Sequence, residues 1–587
     1  MTPFKRLVSY FKPYRAVLIF GGSCVFVTNL FKLIAPNVLG IAIDALKKPG
    51  TTPQTMLRYG GMLLLVALAQ GIFLFIQRRV LINMSRHIEY DLRNDFYAHL
   101  QKLPFQFYQT QRTGDLMARA TNDLSAVRMI VGPALMYSMN TLFAMALLVP
   151  KMASINWRLT LLAFMSMPLV VMATNYFSKR IHDRFEQVQT YFGTVSNRAQ
   201  ESLAGVRVIR AYTQERAEEA SFKTVNREFV NRNLRLIRLS GIFHPLLQFF
   251  IGLGFIAVLW YGGRLVIRGN EGLAGGISIG QFVQFTLYLG FLVWPMIALG
   301  WVINIFQRGM ASMGRMDQVL SIEPAIRDVA QKSEITEIAG EIEFRSLTFK
   351  YNDASEPALA DINLRIAPGQ TVAFVGAVGS GKSTLMNLVP RLLDAEPGQV
   401  LIDGHPIQEI PLAVLRSSIG YVPQETFLFS ETVAGNISFG VESASQEEIE
   451  QAATEAGIAD DIRGFPRGFE TLVGERGITL SGGQKQRAAI ARALIRRPRI
   501  LILDDALSSV DTYTEEKILR HLREIMVGRT SLIVSHRVST VKDADLIVVL
   551  EEARIAERGT HEELIDRGGI YAELHEKQLL EEELAAS

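Results

Sequence analysis

Gly376-Ala377-Val378-Gly379-Ser380-Gly381-Lys382-Ser383-Thr384 carries the spacing G-x-x-x-x-G-K-S directly behind the β-branched and aromatic run Thr371-Val372-Ala373-Phe374-Val375. A strand feeding such a glycine loop makes a phosphate cradle, because successive backbone N–H groups can turn inward on phosphate oxygens. Lys382 is then placed to reach the β- and γ-phosphates, and the Ser383 hydroxyl to ligate Mg²⁺. The implied chemistry is binding of ATP or GTP; a purely structural glycine turn is the alternative for the motif standing alone. A second signal, Arg499-Ile500-Leu501-Ile502-Leu503-Asp504-Asp505, is an apolar strand ending in two carboxylates. A parallel sheet puts such residues at its carboxyl edge beside the phosphate loop, so Asp504 is the expected Mg²⁺ partner, with a structural strand-end aspartate as the alternative. Leu480-Ser481-Gly482-Gly483-Gln484 precedes an apolar-periodic helix from about 484 to 496. Its backbone N–H groups and dipole end would face an anion.

The elements that must position these residues occupy only the second half of the chain. At 587 residues the protein is too long for one core. Its hydrophobic fraction of 49% is high for a chain with a charged nucleotide-binding region, and the excess falls before about residue 310. A formal net charge of +3 gives no basic stripe of the kind nucleic-acid binding requires. The single cysteine, Cys24, excludes an intrachain disulfide framework and a cysteine metal cluster. It reads as a small apolar filler, and the scarcity of cysteine fits a nucleotide-binding domain that faces the cell interior.

Apolar windows of spanning length occur at about 16–38, 57–82, 129–150, 155–177, 241–265 and 279–303. The first is too long for a signal peptide and is expected to stay in the protein. Two polar helical arms, about 83–128 and 178–240, carry 18 Lys and Arg residues where the short connections between spans carry only a few, which places the arms and both termini in the cytoplasm. Within the arms, Arg112-Thr113-Gly114-Asp115 and the stretch to Tyr212-Thr213-Gln214-Glu215 break the helical pattern. Short cross-helices there would be far from the bilayer, where an ATPase domain can press on them, making Gly114, Asp115 and Tyr212 coupling candidates. The boundaries expected are a membrane domain over 1–325, a linker over 326–340 and a nucleotide-binding domain over 341–587.

With the serine-glycine motif in place, the chain resembles the ATP-binding cassette family, and its six spans, two arms and carboxyl-terminal cassette resemble the exporter half-transporters. The resemblance implies an all-α six-helix transmembrane domain with long cytoplasmic helical extensions. Fused to it would be an α/β P-loop cassette with a helical subdomain, acting as an ATPase coupled to transport. It also implies roles residue by residue. Leu480 to Gln484 would contact the γ-phosphate held by the opposite nucleotide domain. Tyr351 would stack on adenine, its alternative being an ordinary strand tyrosine. Gln424 would touch Mg²⁺ near the arm tips, and His536 would contact the γ-phosphate. Glu475, in Gly474-Glu475-Arg476-Gly477, would link ATP binding to the arms. Ser508 and Asp511 would pack across a dimer seam.

One position departs from the family pattern. Hydrolytic sites of the family end the carboxylate strand with Asp-Glu, the glutamate polarising the attacking water, whereas here the second residue is Asp505. Losing one methylene withdraws the carboxylate by roughly 1.5 Å at most, and about 1 Å of misplacement costs on the order of 10²-fold. ATP is expected to bind with Mg²⁺ through Lys382, Ser383, Asp504 and Gln424 but to be hydrolysed slowly at this chain's own loop. Because each site would need the loop of one domain and the signature of another, the expectation is a heterodimer with a second half-transporter. This chain resembles the Asp-bearing subunit of bacterial heterodimeric multidrug exporters, in the cytoplasmic membrane. A homodimer with two slow sites is the runner-up, and an ATP-gated channel or sensor a third reading. The cargo class implied is hydrophobic small molecules or lipids, with no nucleic-acid partner.

Overall fold

The computed structural model describes the chain except residues 1, 49, 329–333, 352–354, 475–479, 507–522 and 587. Two compact units emerge: Met1–Gln101 with Thr113–Ile322, and Lys102–Arg112 with Glu323–Ser587.

The first unit is helical. Among the described residues, six helices are long and apolar enough to cross a membrane: Arg15–Leu46, Pro53–Leu100, Thr113–Ile155, Trp157–Ala204, Glu215–Asn270 and Ile279–Leu320. The 56 residues of Glu215–Asn270 would extend about 84 Å at 1.5 Å per residue, far beyond a hydrocarbon core of about 30 Å. These are the long helical extensions expected from the sequence. All of them except Pro53–Leu100 contribute to a core in which Leu148, Leu159, Phe285, Tyr288 and Leu292 are fully buried. Many apolar side chains on the opposite faces, such as Leu64 and Leu65, are exposed, as lipid-facing helices require.

Two short helices interrupt the long rods. Phe105–Thr110 stands before the helical turn Thr113–Ala118, and Val206–Ala211 stands between the fourth and fifth long helices, ending at Tyr212. Gly114 and Asp115 therefore open the third long helix, while the separate short helix on that arm lies a few residues earlier than the glycine suggested. Phe-Tyr-rich residues 105–108 carry no turn signal; Pro104 at the helix N-cap supplies it instead.

The second unit is built on two sheets. β1 (Ile342–Phe349), β2 (Leu359–Ile366), β4 (Val400–Ile402) and β5 (His405–Pro406) form an antiparallel sheet ordered β2-β1-β4-β5. The larger sheet follows the order β10-β9-β3-β8-β7-β6. Its members are β3 (Thr371–Gly376), β6 (Ile419–Val422), β7 (Ile500–Asp504), β8 (Thr530–Val534), β9 (Leu546–Glu551) and β10 (Arg554–Gly559). All neighbours from β9 to β6 run parallel, and only β10 is antiparallel. Every residue of β7 and β8 is buried, the continuous apolar run of a strand covered on both faces. One core packs the first sheet and helix Lys382–Leu388 against the parallel strands; another gathers the helices around Gly482–Leu494.

The segment read as a linker is fastened to this unit at its described ends. Asp403 accepts backbone N–H bonds from Ala339, Gly340 and Glu341, and Ile338 is buried in the sheet core. Earlier, the Asp328 carboxylate accepts from the Leu412 N–H.

Candidate nucleotide-binding site

Parallel strands deliver their carboxyl ends to one edge of a sheet, and loops leaving that edge are where open α/β sheets hold ligands. Gly376 ends β3, Asp504 ends β7, Val534 ends β8 and Gln424 follows β6 by two residues. The loops from these four strands enclose a cleft of ≈ 290 Å³, whose walls include Tyr351, Lys382, Ser383, Gln424, Asp504 and Asp505. His536, Gly379, Gly381 and Thr384 also line it. Residues separated by more than 180 positions, from Tyr351 to His536, thus share one space because the strand order interleaves them.

The glycines of the loop are dictated by sterics at two positions. Gly376 has φ +146°, and a Cβ there would stand 2.1 Å from the Leu550 carbonyl oxygen on the adjacent β9. Gly381, the N-cap of helix Lys382–Leu388, has φ +100°, and a Cβ would meet the Ala358 carbonyl oxygen at 2.5 Å. Any side chain at either place would open the loop.

Inside the loop, the Lys382 ammonium donates to the Gly376 and Ala377 carbonyls at 2.9 and 2.7 Å and to Ser380 Oγ at 3.3 Å. Ser383 Oγ donates to Asp504 Oδ1 at 3.1 Å. Tyr351 and Thr384 share a hydroxyl hydrogen bond of 3.2 Å, which ties the aromatic ring to the end of the loop. Phe349 meets the Tyr351 ring edge-on at 5.1 Å, fixing it further.

Burial sets the electrostatics. Asp504 is 2% exposed, and desolvation raises its carboxyl above the ordinary aspartate value. The neighbouring Asp505 charge adds to that rise, while the Ser383 hydroxyl, Lys382 and His536 oppose it. Lys382 is pushed down by burial, against the pull of the Asp504 and Asp505 carboxylates. The Tyr421 phenol, whose hydroxyl donates to Asn387 Oδ1 at 2.9 Å, is raised chiefly by burial and further by Asp504. A divalent cation would relieve this crowding of carboxylates, and the oxygen donors Ser383, Asp504 and Gln424 suit a hard one such as Mg²⁺.

Asp505 occupies the left-handed region at φ +50°, its N–H donating to the Val534 carbonyl at 2.9 Å. Aspartate is among the few residues that tolerate this conformation. The bond holds the end of β7 to the end of β8, so the backbone carrying the carboxylate is fixed beside the cleft.

The serine-glycine motif lies apart from this cleft. Ser481 caps helix Gly482–Leu494 through a full capping box: its hydroxyl accepts from the Gln484 N–H, and the Gln484 side chain returns a bond to the Ser481 N–H. Leu480 is buried in the helical core, and Gly483 accepts from Arg487 through its carbonyl. Sequence reasoning missed Asp461, which accepts from Gln484 Nε2 at 3.1 Å and from Arg487 at 2.8 Å. Arg487 also donates to the Gly457 carbonyl at 2.6 Å. The acidic pair Asp460-Asp461 at a helix start was the available signal, but nothing local linked it to a motif more than 20 residues on. Glu475, Ser508 and Asp511 lie outside the described residues.

Comparison with known proteins agrees with this architecture. Residues 18–296 match the ABC transporter transmembrane region, and residues 359–508 match the ABC transporter nucleotide-binding family. The probable multidrug resistance ABC transporter ATP-binding/permease protein YheI of Bacillus subtilis (strain 168) is 39% identical, over 98% of this chain and 97% of that protein. The ATP-dependent lipid A-core flippase of Syntrophus aciditrophicus (strain SB) is 35% identical, over 100% of this chain and 96% of its own length. A solved bacterial Atm1-family ABC exporter with ATP bound superposes with TM-score 0.77 at 28% identity, covering 96% of this chain and 98% of that one. Six membrane-spanning helices joined to a P-loop sheet, matched along nearly the whole length by such relatives, make this chain a multi-pass membrane protein of the ATP-binding cassette transporter family, an exporter whose transport is coupled to an ATPase.

Proposed function

We propose that this chain is one half of a heterodimeric exporter of hydrophobic or amphipathic compounds, drug-like or lipid-like, in which its own ATP site is the slow one. The observation that carries this reading is the placement of Asp505. Its carboxylate lines the same cleft as Lys382, Ser383 and Asp504, at the strand-end position where a water-polarising base has to act. Every binding group is present there, and only the reach of the base is short.

In this reading the loop N–H groups and Lys382 bind the β- and γ-phosphates, Tyr351 stacks on adenine, and His536 contacts the γ-phosphate. Ser383, Asp504 and Gln424 would hold Mg²⁺, which supplies charge neutralisation on the phosphates when bound. Asp505 holds a water too far from the phosphorus for efficient in-line attack, at a cost of about 3 kcal/mol of barrier. Ser481 to Gln484 present the helix N-terminus to nucleotide held by the partner, whose own glutamate performs hydrolysis. ATP binding draws the two cassettes together and favours an outward-open state, and hydrolysis at the partner's loop resets it. Gly114, Asp115, Tyr212 and Glu475 are assigned to transmitting that closure, Ser508 and Asp511 to the seam. The cassette and both termini lie on the cytoplasmic side of a bacterial inner membrane, the side to which basic residues in the arms are drawn.

Names of relatives support the cargo class: YheI is named a probable multidrug resistance ABC transporter, MdlA of Escherichia coli (strain K12) a multidrug resistance-like ATP-binding protein, and the Syntrophus aciditrophicus relative a lipid A-core flippase. The experiment is purification from native membranes through a tag on this chain, identification of any copurifying half-transporter, and uptake of fluorescent hydrophobic compounds into inverted vesicles. A second cassette subunit with a glutamate after its strand-end aspartate, together with ATP-dependent uptake, is the expected result. A stable, transport-competent homodimer overturns the heterodimer.

A further inference from the structure

Within the six apolar windows, Lys32 is the only Asp, Glu, Lys or Arg more than four residues from a window's end. Arg58, Arg78, Arg79, Arg158 and Arg264 all lie close enough to an end to reach the interface. Lys32 also sits on the protein-facing stripe of its helix. Val25, Thr28, Asn29 and Pro36, at helical spacings of seven, four, three and four residues from it, are buried, whereas Ile19 and Phe20 on other faces are exposed. An ammonium in that position is costly unless something compensates it, and intramembrane charges facing a protein interior mark substrate or ion paths.

Its hydrogen-bond partner is polar but uncharged. Lys32 Nζ donates to Asn140 Oδ1 at 3.3 Å, and the same oxygen accepts from Asn29 Nδ2 at 3.0 Å. No carboxylate lies within ion-pair distance of Lys32 among the described residues. Asn29 is 1% exposed, yet among the described residues its Oδ1 has no hydrogen-bond partner. A further acceptor is released nearby, because Pro36 has no N–H to offer the Lys32 carbonyl four residues back. An ammonium with donors to spare therefore stands beside a buried, unsatisfied acceptor, both on the inner face of a spanning helix.

We propose that Lys32, Asn29 and Asn140 form a recognition site for the anionic headgroup of an amphipathic ligand, a carboxylate or phosphate carrying a neighbouring N–H or O–H donor. The headgroup takes the Lys32 charge, the Asn29 side chain turns its buried Oδ1 to meet the headgroup's donor, and the apolar tail lies along the surrounding spans. Calling this ligand cargo rests on the export reading; the site itself does not. Such a head belongs equally to an anionic lipid of the bilayer or to a free amphipath.

Binding measured without turnover separates the two questions. The complex purified through a tag on this chain is placed in phosphatidylcholine nanodiscs and titrated with fluorescent N-dodecanoyl-glycine, its neutral glycinamide analogue and a dodecyltrimethylammonium analogue. The acid is expected to bind at least about tenfold more tightly than the amide, the strength of a charge-assisted hydrogen bond. Lys32→Met should erase that preference, Lys32→Arg should keep it and Lys32→Glu should turn it toward the cation. Replacing part of the phosphatidylcholine by phosphatidylglycerol assigns the source: competition with the acid identifies a lipid head, its absence a free amphipath, and either result supports the site. An unchanged preference for the acid in Lys32→Met, with Lys32→Arg folded and equal to wild type, overturns it. Failed vesicle uptake with intact acid selectivity would reject the proposed cargo class and leave this site standing.

Discussion

Ser383 and Asp504, 121 positions apart in the chain, meet through a 3.1 Å hydrogen bond from the serine hydroxyl to the carboxylate. That bond joins the start of the helix after β3 to the end of β7, the two places from which oxygen ligands for a nucleotide-bound cation must come. It exists because β8 lies between β3 and β7, so the two strand ends are separated by a single strand.

The buried carboxylate at Asp504 trades stability for function. Its folded value is raised, so the charged form is disfavoured in the fold; the penalty is present at neutral pH and relieved as pH falls through that raised value. Asp504→Asn should therefore raise the melting temperature of the nucleotide-free protein, by about 2–4 °C for each kcal/mol relieved. It should also abolish Mg²⁺-dependent tightening of ATP binding. Calorimetry and a fluorescent-nucleotide titration check the two effects. In wild type, Mg²⁺–ATP affinity should start to fall at a higher pH than it would for an exposed aspartate.

Lys382→Ala should weaken ATP binding about 10- to 100-fold, the range for a charged hydrogen-bonding group. The fold should persist, since the ammonium's partners are two carbonyls and a hydroxyl of its own loop, none of which joins separate elements of the core. Equilibrium binding of a fluorescent ATP analogue measures this directly.

Ser481→Ala removes the capping box on helix Gly482–Leu494 and should cost about 1 kcal/mol of stability. If this motif completes the partner's site, the same change should lower ATPase activity of the complex more than Lys382→Ala in this chain does. Steady-state phosphate release from both variants makes the comparison.

How much of this was legible beforehand depends on the range of the interactions. The six spans and the P-loop sheet follow from local signals, long apolar windows and a glycine loop behind a β-branched strand. Asp504 was legible as a strand end, and Gln424 and His536 through the family resemblance; the parallel strand order then brings all three to one cleft. The clamp of Asp461 on Gln484 and Arg487 was not legible, because no periodicity connects a helix start to a cap more than 20 residues later. The short helix Phe105–Thr110 lies before Gly114, where the local pattern points, because Pro104 sets its start and Gly114 sits inside the next helical turn.

Tyr351→Leu should reduce ATP affinity several-fold, about 0.5–1.5 kcal/mol, while leaving the triphosphate contribution intact. Competition by inorganic triphosphate against a fluorescent nucleotide separates the two, since only the base-dependent part should change.

The direct test of the account is the ATPase rate of Asp505→Glu against wild type, measured on this chain alone and on the complex it forms. Extending the side chain by one methylene should raise hydrolysis at this chain's phosphate loop by about 10- to 100-fold, seen as a second active site in the complex, while the isolated chain, lacking the partner's signature, stays slow. Brisk hydrolysis by the isolated wild-type chain, with no gain from Asp505→Glu, would contradict it.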